Sequence, residues 1–231
     1  MTVERKVVGV LGGMGPEATV DFMSKVIALT PGTKDQDHIR MLVDHDPTVP
    51  NRQAAILGDG EDPGPALAAM AKRLEAAGAD FLVIPCNTAY AFEQSIMDAV
   101  DIPLVSIIEE TIAAVPKGRR TVGLLATDGC LRAGVYQRAL EQRGLDGVEP
   151  SGEDLDELMQ AVYAIKAGDT GQGVADVMRR LAIALVDKGA EAVIAGCTEI
   201  PLVLDESQLD VPLLSSTDIL AEKTVRLALS E

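Results

Sequence analysis

The sequence predicts an α/β fold of two pseudo-symmetric lobes from a tandem duplication. Each lobe is a mostly parallel sheet flanked by helices, and the functional site lies in the cleft between them. Three observations carry this expectation. First, Phe81-Leu82-Val83-Ile84-Pro85-Cys86-Asn87-Thr88-Ala89 and Ala192-Val193-Ile194-Ala195-Gly196-Cys197-Thr198-Glu199-Ile200-Pro201 read almost alike. Each is an apolar, β-branched run that stops on a cysteine, the pattern of a buried parallel strand whose carboxyl end faces a ligand. Second, the likeness extends outward: Asp101-Ile102-Pro103-Leu104-Val105-Ser106 matches Asp210-Val211-Pro212-Leu213-Leu214-Ser215, and Val7 to Leu11 matches Thr121 to Leu125. Third, the displacements are nearly constant, 111 residues between the cysteines, 109 between the aspartates and 114 between the first strands. A period of this size duplicates a domain-sized unit rather than building a solenoid.

In order, Lys6 to Leu11 is a strand, and Gly12-Gly13-Met14-Gly15-Pro16-Glu17 turns it into a helix over 16–29. Proline suits the first helical turn and glutamate its positive end, while the glycines let a ligand approach free N–H groups. A plain tight turn would use the same residues. The glycines at 9, 12 and 15 do not make a dinucleotide fingerprint, and no P-loop lysine is present. Residues 30–66 are the least regular, with a short strand over 39–43 and both histidines, His38 and His45, in a stretch without metal-ligand spacing. Arg52, followed by Gln53, stands between a prolyl turn and a helical stretch. A guanidinium there suits a carboxylate clamp, and equally an ordinary surface position. Helices follow over 66–77, 89–100 and 107–115, the last closed by Pro116-Lys117-Gly118. In the second unit, Cys130 is placed in the slot that Met14 fills in the first and reads as a structural thiol. Helices over 155–167, with Lys166 near its end, 174–188 and 217–229 complete the chain. Lys166 reads either as a site cation or as a solvated complement to the helix dipole. The first lobe is expected over 1–106, the second over 107–215, and the tail helix within 216–231 returns to the first.

Length and composition agree with an enzyme-sized α/β protein. The 231 residues are 47% hydrophobic, and no apolar stretch approaches a bilayer span. Three cysteines without a small secreted composition indicate reduced thiols and a cytoplasmic location. A formal net charge of −16 disfavours nucleic acid and membrane partners. It also requires that an anionic ligand meet specific cations inside the cleft.

The turn Gly12-Gly13-Met14-Gly15-Pro16, the segment Pro85-Cys86-Asn87-Thr88-Ala89 and the segment Gly196-Cys197-Thr198-Glu199-Ile200-Pro201 together resemble the aspartate/glutamate racemase family, most closely its aspartate racemase branch. The resemblance spans the chain from its first strand to its last helix. It implies a cofactor-independent amino-acid racemase that interconverts L- and D-aspartate, or glutamate. Cys86 and Cys197 would be its two catalytic bases, with no pyridoxal phosphate and no metal. It implies substrate contacts from Met14, Arg52, Gln53, Asn87, Thr88, Lys166, Thr198 and Glu199, a small anionic amino acid as ligand, and a homodimer. Relatives often carry His where this chain has Tyr90, which cannot shuttle a proton near neutral pH.

The chemistry is consistent with this assignment. Racemisation removes the α-proton from one face and returns one to the other, so two opposed groups of similar basicity exchange the thiol and thiolate roles at each turnover. Nearby positive charge lowers a thiol's pKa, and hydrogen-bond donors around the α-carboxylate stabilise the incipient carbanion. Related reactions remain open: maleate isomerisation, hydantoin racemisation, or plain binding of acidic amino acids. Retention of both cysteines argues against a one-cysteine decarboxylase, and their separate settings argue against a redox pair.

Overall fold

The computed structural model describes residues 5–230. Its first sheet has the order β2-β1-β3, built from β1 Val8–Gly12, β2 Met41–His45 and β3 Phe81–Val83. Both pairings are parallel. Its second sheet has the order β5-β4-β6-β7, from β4 Thr121–Leu125, β5 Asp146–Val148, β6 Ala192–Ala195 and β7 Leu213–Ser215, again all parallel.

The duplication survives at the level of single hydrogen bonds. Leu82 N donates to Pro103 O at 2.8 Å, and Val193 N donates to Pro212 O at 2.9 Å. A parallel bridge between Leu82 and Leu104 thus marks the first sheet's counterpart of β7. The Asp80 carboxylate accepts from Val7 N at 2.6 Å, and the Glu191 carboxylate accepts from Arg120 N at 2.6 Å. Gly9 and Gly123 lie where helices press on the central strands. A Cβ at Gly9 would meet Leu82 and Ala79 at 2.7 and 2.9 Å, and one at Gly123 would meet Leu185 and Ala190 at 3.1 and 3.2 Å.

The helices follow the apolar periodicity. α1 Pro16–Leu29, α3 Gly64–Ala76, α5 Ile107–Ala113, α8 Glu153–Lys166, α9 Gln172–Asp187 and α10 Ser216–Ala228 lie within two residues of the expected spans at most ends. Ser106 and Ser215 cap α5 and α10 in the same way, accepting from the N–H three residues on. α10 packs on α1 and on α5, and α5 packs also on α7 Val135–Gln142, so each unit's last helix crosses toward the other unit.

Several expectations are corrected. The strand placed at 39–43 runs from Met41 to His45, two residues later. The helix expected over 89–100 is a 3-10 turn, Asn87–Phe92, followed by the short α4 Glu93–Met97. Asn87, Thr88, Ala89 and Tyr90 are all buried, a run that an amphipathic α-helix with one solvent face does not allow. β5, α6 Asp128–Ala133 and α7 had no counterpart in the sequence reading. Since Val8 pairs with Phe81 as Val122 pairs with Ala192, Cys130 corresponds to Pro16 and not to Met14.

One apolar core runs from the first sheet, through Tyr136, onto Val122, Leu124 and Ile194 of the second. Leu125, Val193 and Ala195, alternating with those, face a second core with α8 and α9. Full burial of side chains such as Leu82 and Ile84 contributes about 1.5–3 kcal/mol each. The strand ends that carry the cysteines are therefore anchored in the buried core.

Candidate active site

β3 and β6 both run into the interior, and the residues just past their carboxyl ends are Cys86 and Cys197, each 7% exposed. Both thiols line one cavity of about 290 Å³, one contributed by each sheet. Among the described residues, all of Met14, Arg52, Gln53, Asn87, Thr88, Lys166, Thr198 and Glu199 line the same cavity. The structure thus gathers every candidate named from the sequence.

The floor is the turn after β1. Gly13 has φ +95, and a Cβ there would meet the Asp46 backbone at 2.5 Å, so only glycine fits. Thr19 fastens this turn: its hydroxyl accepts from Gly13 N at 2.9 Å and donates to Gly15 O at 3.0 Å. A Cβ on Gly15 would lie 3.0 Å from Glu199 Oε1 and 3.4 Å from Lys166 Nζ, so the first unit's turn reaches the second unit's charged pair.

That pair differs from the expectation for a free substrate-binding lysine. Lys166, the last residue of α8, is ion-paired to Glu199 Oε1. Glu199 is 3% exposed, and its other oxygen accepts from Cys197 Sγ at 3.0 Å and from Thr198 Oγ1 at 3.3 Å. Burial first, then the Glu199 carboxylate, pushes the Cys197 thiol well above its ordinary value, with Lys166 opposing. Burial works against the charge on Lys166, but Glu199 and then Cys197 hold its pKa above the ordinary range. Cys197 therefore sits as a thiol that donates to a buried carboxylate balanced by an ammonium.

Arg52 opens α2 Arg52–Leu57, whose first turn is capped by the Asn51 side chain accepting from Gln53 N at 2.9 Å. Arg52 Nη1 donates to Val49 O and Pro50 O, both at 3.0 Å, which fixes the guanidinium. Its Nε is buried and has no hydrogen-bond partner. A buried donor without a partner is uncommon. Gln53 reaches only Met159 Sδ, at 3.9 Å, and its Oε1 is likewise unpartnered.

Asn87, named from its place after Cys86, has its amide engaged inside the protein. Its Oδ1 accepts from Tyr136 Oη at 2.6 Å and its Nδ2 donates to Ser216 Oγ at 3.0 Å. Ser216 Oγ in turn donates to Ala195 O at 2.9 Å, two residues before Cys197. This buried chain ties the Cys86 turn to the Cys197 strand. Thr88 Oγ1 lies 3.1 Å from Thr127 Oγ1, one hydroxyl from each unit. Tyr90 does not reach the cavity; it is 2% exposed and donates to Val105 O at 2.6 Å. Cys130 is 1% exposed within α6, where burial raises its pKa, and it does not line the cavity.

Sequence reasoning missed Glu17 and Thr127 and the α8 side chains Met159, Val162 and Tyr163 as cavity residues. The signal was available for α8: 159, 162, 163 and 166 share one helical face. Thr127 sits at the duplicate of Gly13, 114 residues on. Among the described residues, no cluster of three or more His, Cys, Asp or Glu is placed to hold a metal, and no helix is long and apolar enough to cross a membrane.

Comparison with known proteins agrees with this geometry. The family model described as Asp/Glu/Hydantoin racemase matches residues 11–224. The chain is 30% identical to the broad specificity amino-acid racemase RacX of Bacillus subtilis, over 94% of this chain and 96% of that protein. In structure it resembles Picrophilus torridus aspartate racemase with a TM-score of 0.87, at 29% identity, covering 96% of this chain and 94% of that one. The glutamate racemase of Francisella tularensis, solved with D-glutamate, shares the fold at a TM-score of 0.71 and 21% identity, covering 98% and 82% of the two chains. The match over nearly the whole chain, joined to the duplicated cysteine strands, establishes that this protein belongs to the Asp/Glu/hydantoin racemase family.

Proposed function

We propose that this protein is an amino-acid racemase that needs no cofactor, in which Cys86 and Cys197 exchange protons with Cα from opposite faces. The observation that carries the proposal is the convergence of two pseudo-symmetric thiols on one cavity that Arg52 also lines. At about 290 Å³ the cavity lies near the lower limit of the roughly 300–1,000 Å³ range of ligand pockets, a size suited to a single amino acid.

In this reading Arg52 receives the α-carboxylate through two N–H groups. One sulfur, as thiolate, removes the α-proton, and the electron pair left on Cα delocalises into the carboxylate, where the guanidinium stabilises it. The other sulfur, as thiol, delivers its proton to the opposite face. The first thiolate has become a thiol and the second a thiolate, so the next turnover runs the other way. Cys197 in its thiol form is the proton donor of such a pair, and once it has delivered that proton to Cα it is the thiolate base of the reverse turnover; Glu199 Oε2, 3.0 Å from Sγ, orients the thiol. Asn87, through Tyr136 and Ser216, holds the two turns in register.

The family description and the Picrophilus aspartate racemase support aspartate or glutamate as substrate, whereas the broad-specificity relative supports a wider range. The decisive experiment is α-deuterium incorporation in heavy water, with purified protein and no added cofactor, over a panel of L- and D-amino acids. A racemase exchanges Cα–H and interconverts enantiomers. A binder, or a maleate isomerase, does neither.

A further inference from the structure

α2 carries Arg52, and none of the helix's residues is buried, so no core of its own holds it in place. The guanidinium is fixed to Val49 O and Pro50 O, the two residues that lead toward the helix. Its distance from the two sulfurs is therefore set by whatever α2 leans on. That support comes from the second unit. α2 packs on α6, and both pack on the 3-10 turn that follows Cys86. The helices meet at Gln53 and Gly129. A Cβ on Gly129 would lie 1.9 Å from Gln53 Oε1, 3.0 Å from Gln53 Cδ and 3.2 Å from Gln53 Cα.

Glycine at 129 is not there for its backbone freedom. It is the second residue of α6, an ordinary helical position with no left-handed φ, where glycine weakens a helix relative to alanine. What the position requires is space. Gln53 Oε1 is buried and without a hydrogen-bond partner, so packing against Gly129 holds the amide. Around this contact the same short stretch reaches the rest of the site. Asp128 N donates to Met159 Sδ at 3.3 Å, the sulfur that Gln53 Nε2 approaches at 3.9 Å. Thr127 Oγ1 lies 3.1 Å from Thr88 Oγ1. Residues 127–129 thus touch both the helix that carries Arg52 and the turn that follows Cys86.

We propose that Gly129 is a positioning residue: the missing side chain lets α2 seat against the second unit, and this seat sets Arg52 at its working distance from Cys86 and Cys197. The proposal rests on the racemase reading and adds to it a residue that does not line the cavity. Alanine at 129 would displace the Gln53 amide and, through the contact with Gln53 Cα, push α2 itself outward. Arg52, the neighbour of Gln53, moves with it. A misplacement of about 1 Å in a group that orients the substrate lowers rates by about a hundredfold.

The test compares kcat/KM for α-proton exchange in wild type, G129A, Q53A and the double variant. G129A should lower kcat/KM by about tenfold or more. Q53A removes Oε1 and Cδ, the atoms that the new Cβ meets first, so the double variant should exchange no worse than Q53A alone. A G129A value within about threefold of wild type overturns the proposal, and so does a double variant that multiplies the two single losses. If G129A does not fold, the double variant decides: recovery of the fold and of the Q53A level of exchange supports the seat, and failure to recover overturns it. A third background asks whether the effect runs through Arg52. With R52K already lacking the bidentate fork, adding G129A should cost less than about threefold, whereas a full second loss would show that Gly129 acts elsewhere. The crystal structure of G129A, or of the double variant where the single one does not fold, gives a readout independent of activity. In G129A, α2 should stand farther from both sulfurs while α6 keeps its place; in the double variant it should return toward its wild-type position. An unmoved α2 in G129A, or a displaced one in the double variant, overturns the proposal. Wild-type protein that exchanges no amino acid overturns the racemase reading itself; unaltered exchange by G129A in the presence of an active wild type overturns only the role of Gly129.

Discussion

The Cys197 thiol donates to Glu199 Oε2 at 3.0 Å, and the same carboxylate binds Lys166 through its other oxygen. This three-residue relay makes Cys197 chemically distinct from Cys86, although the two occupy duplicate positions. Glu199 has no acidic equivalent after Cys86, where Asn87, Thr88 and Ala89 follow. The duplication has therefore produced two sulfurs with one geometry and different electrostatics.

Each sulfur should serve one enantiomer. Cys86→Ala and Cys197→Ala are each expected to abolish racemisation with the fold intact. Cys→Ser changes should separate the faces: Cys197→Ser suppresses α-exchange mainly of the L-form, and Cys86→Ser mainly of the D-form, because serine is a far weaker base than a thiolate. Exchange of each enantiomer in heavy water reads this out. Equal loss for both enantiomers in both variants would remove the one-base-per-face mechanism. Cys130→Ala should leave kcat unchanged, since that thiol is outside the cavity.

The relay predicts a pH effect with a definite sign. Burial and Glu199 both raise the Cys197 pKa, so its thiolate forms only at alkaline pH in the unliganded protein. Glu199→Gln removes the carboxylate and leaves Lys166, whose charge favours the thiolate. The pH midpoint for alkylation of Cys197 by iodoacetamide, measured with Cys86 and Cys130 replaced by alanine, should move to lower pH. A midpoint that stays or rises would contradict the electrostatic account.

The two cavity cations should respond differently. Arg52→Lys keeps the charge but loses the bidentate fork, so kcat/KM should fall by roughly tenfold or more with little change in melting temperature. Lys166→Met leaves Glu199 buried without its cation and should destabilise the fold. The loss should fall at or below the low end of the roughly 3–5 kcal/mol typical of broken buried pairs, because the lysine side chain is 32% exposed. The double variant Lys166→Met with Glu199→Gln should recover much of that stability. Denaturation of the single and double variants measures the coupling directly.

Tyr136→Phe tests the chain that joins the two turns. It leaves Asn87 Oδ1 buried without its 2.6 Å donor, a loss of about 1–3 kcal/mol in stability. If the chain sets the spacing of the sulfurs, kcat falls several-fold while KM holds, because the carboxylate clamp at Arg52 is untouched. A rise in KM with kcat unchanged would place the effect in binding instead.

Much of this protein was legible without coordinates, for an identifiable reason. Buried parallel strands must be continuous apolar runs, and a duplicated unit writes its pattern twice, so β3 and β6, their cysteines and the helices α1, α3, α8, α9 and α10 stood out against each other. The turn of Gly12 to Pro16 was equally readable, because only glycine tolerates the φ of +95 and the backbone contact at Gly13. Where the periodic signal was short or one-sided, the reading failed. β5, with two of its three residues exposed, has little apolar pattern, and the 3-10 turn after Cys86, buried from Asn87 to Tyr90, imitates a helix.

The sequence by itself determined the fold class, the two thiols and part of the set of residues that surround them. Those follow from local propensity, burial pattern and repetition, which are properties of the chain in one dimension. Only the tertiary structure decided how the polar groups pair. Lys166 and Glu199, 33 residues apart, neutralise each other; Asn87 turns inward to Tyr136 and Ser216, 49 and 129 residues away; and Tyr90 is sealed in the core. Hydrogen bonds and ion pairs depend on distances of a few ångströms and on desolvation, and neither quantity exists until both units have packed together.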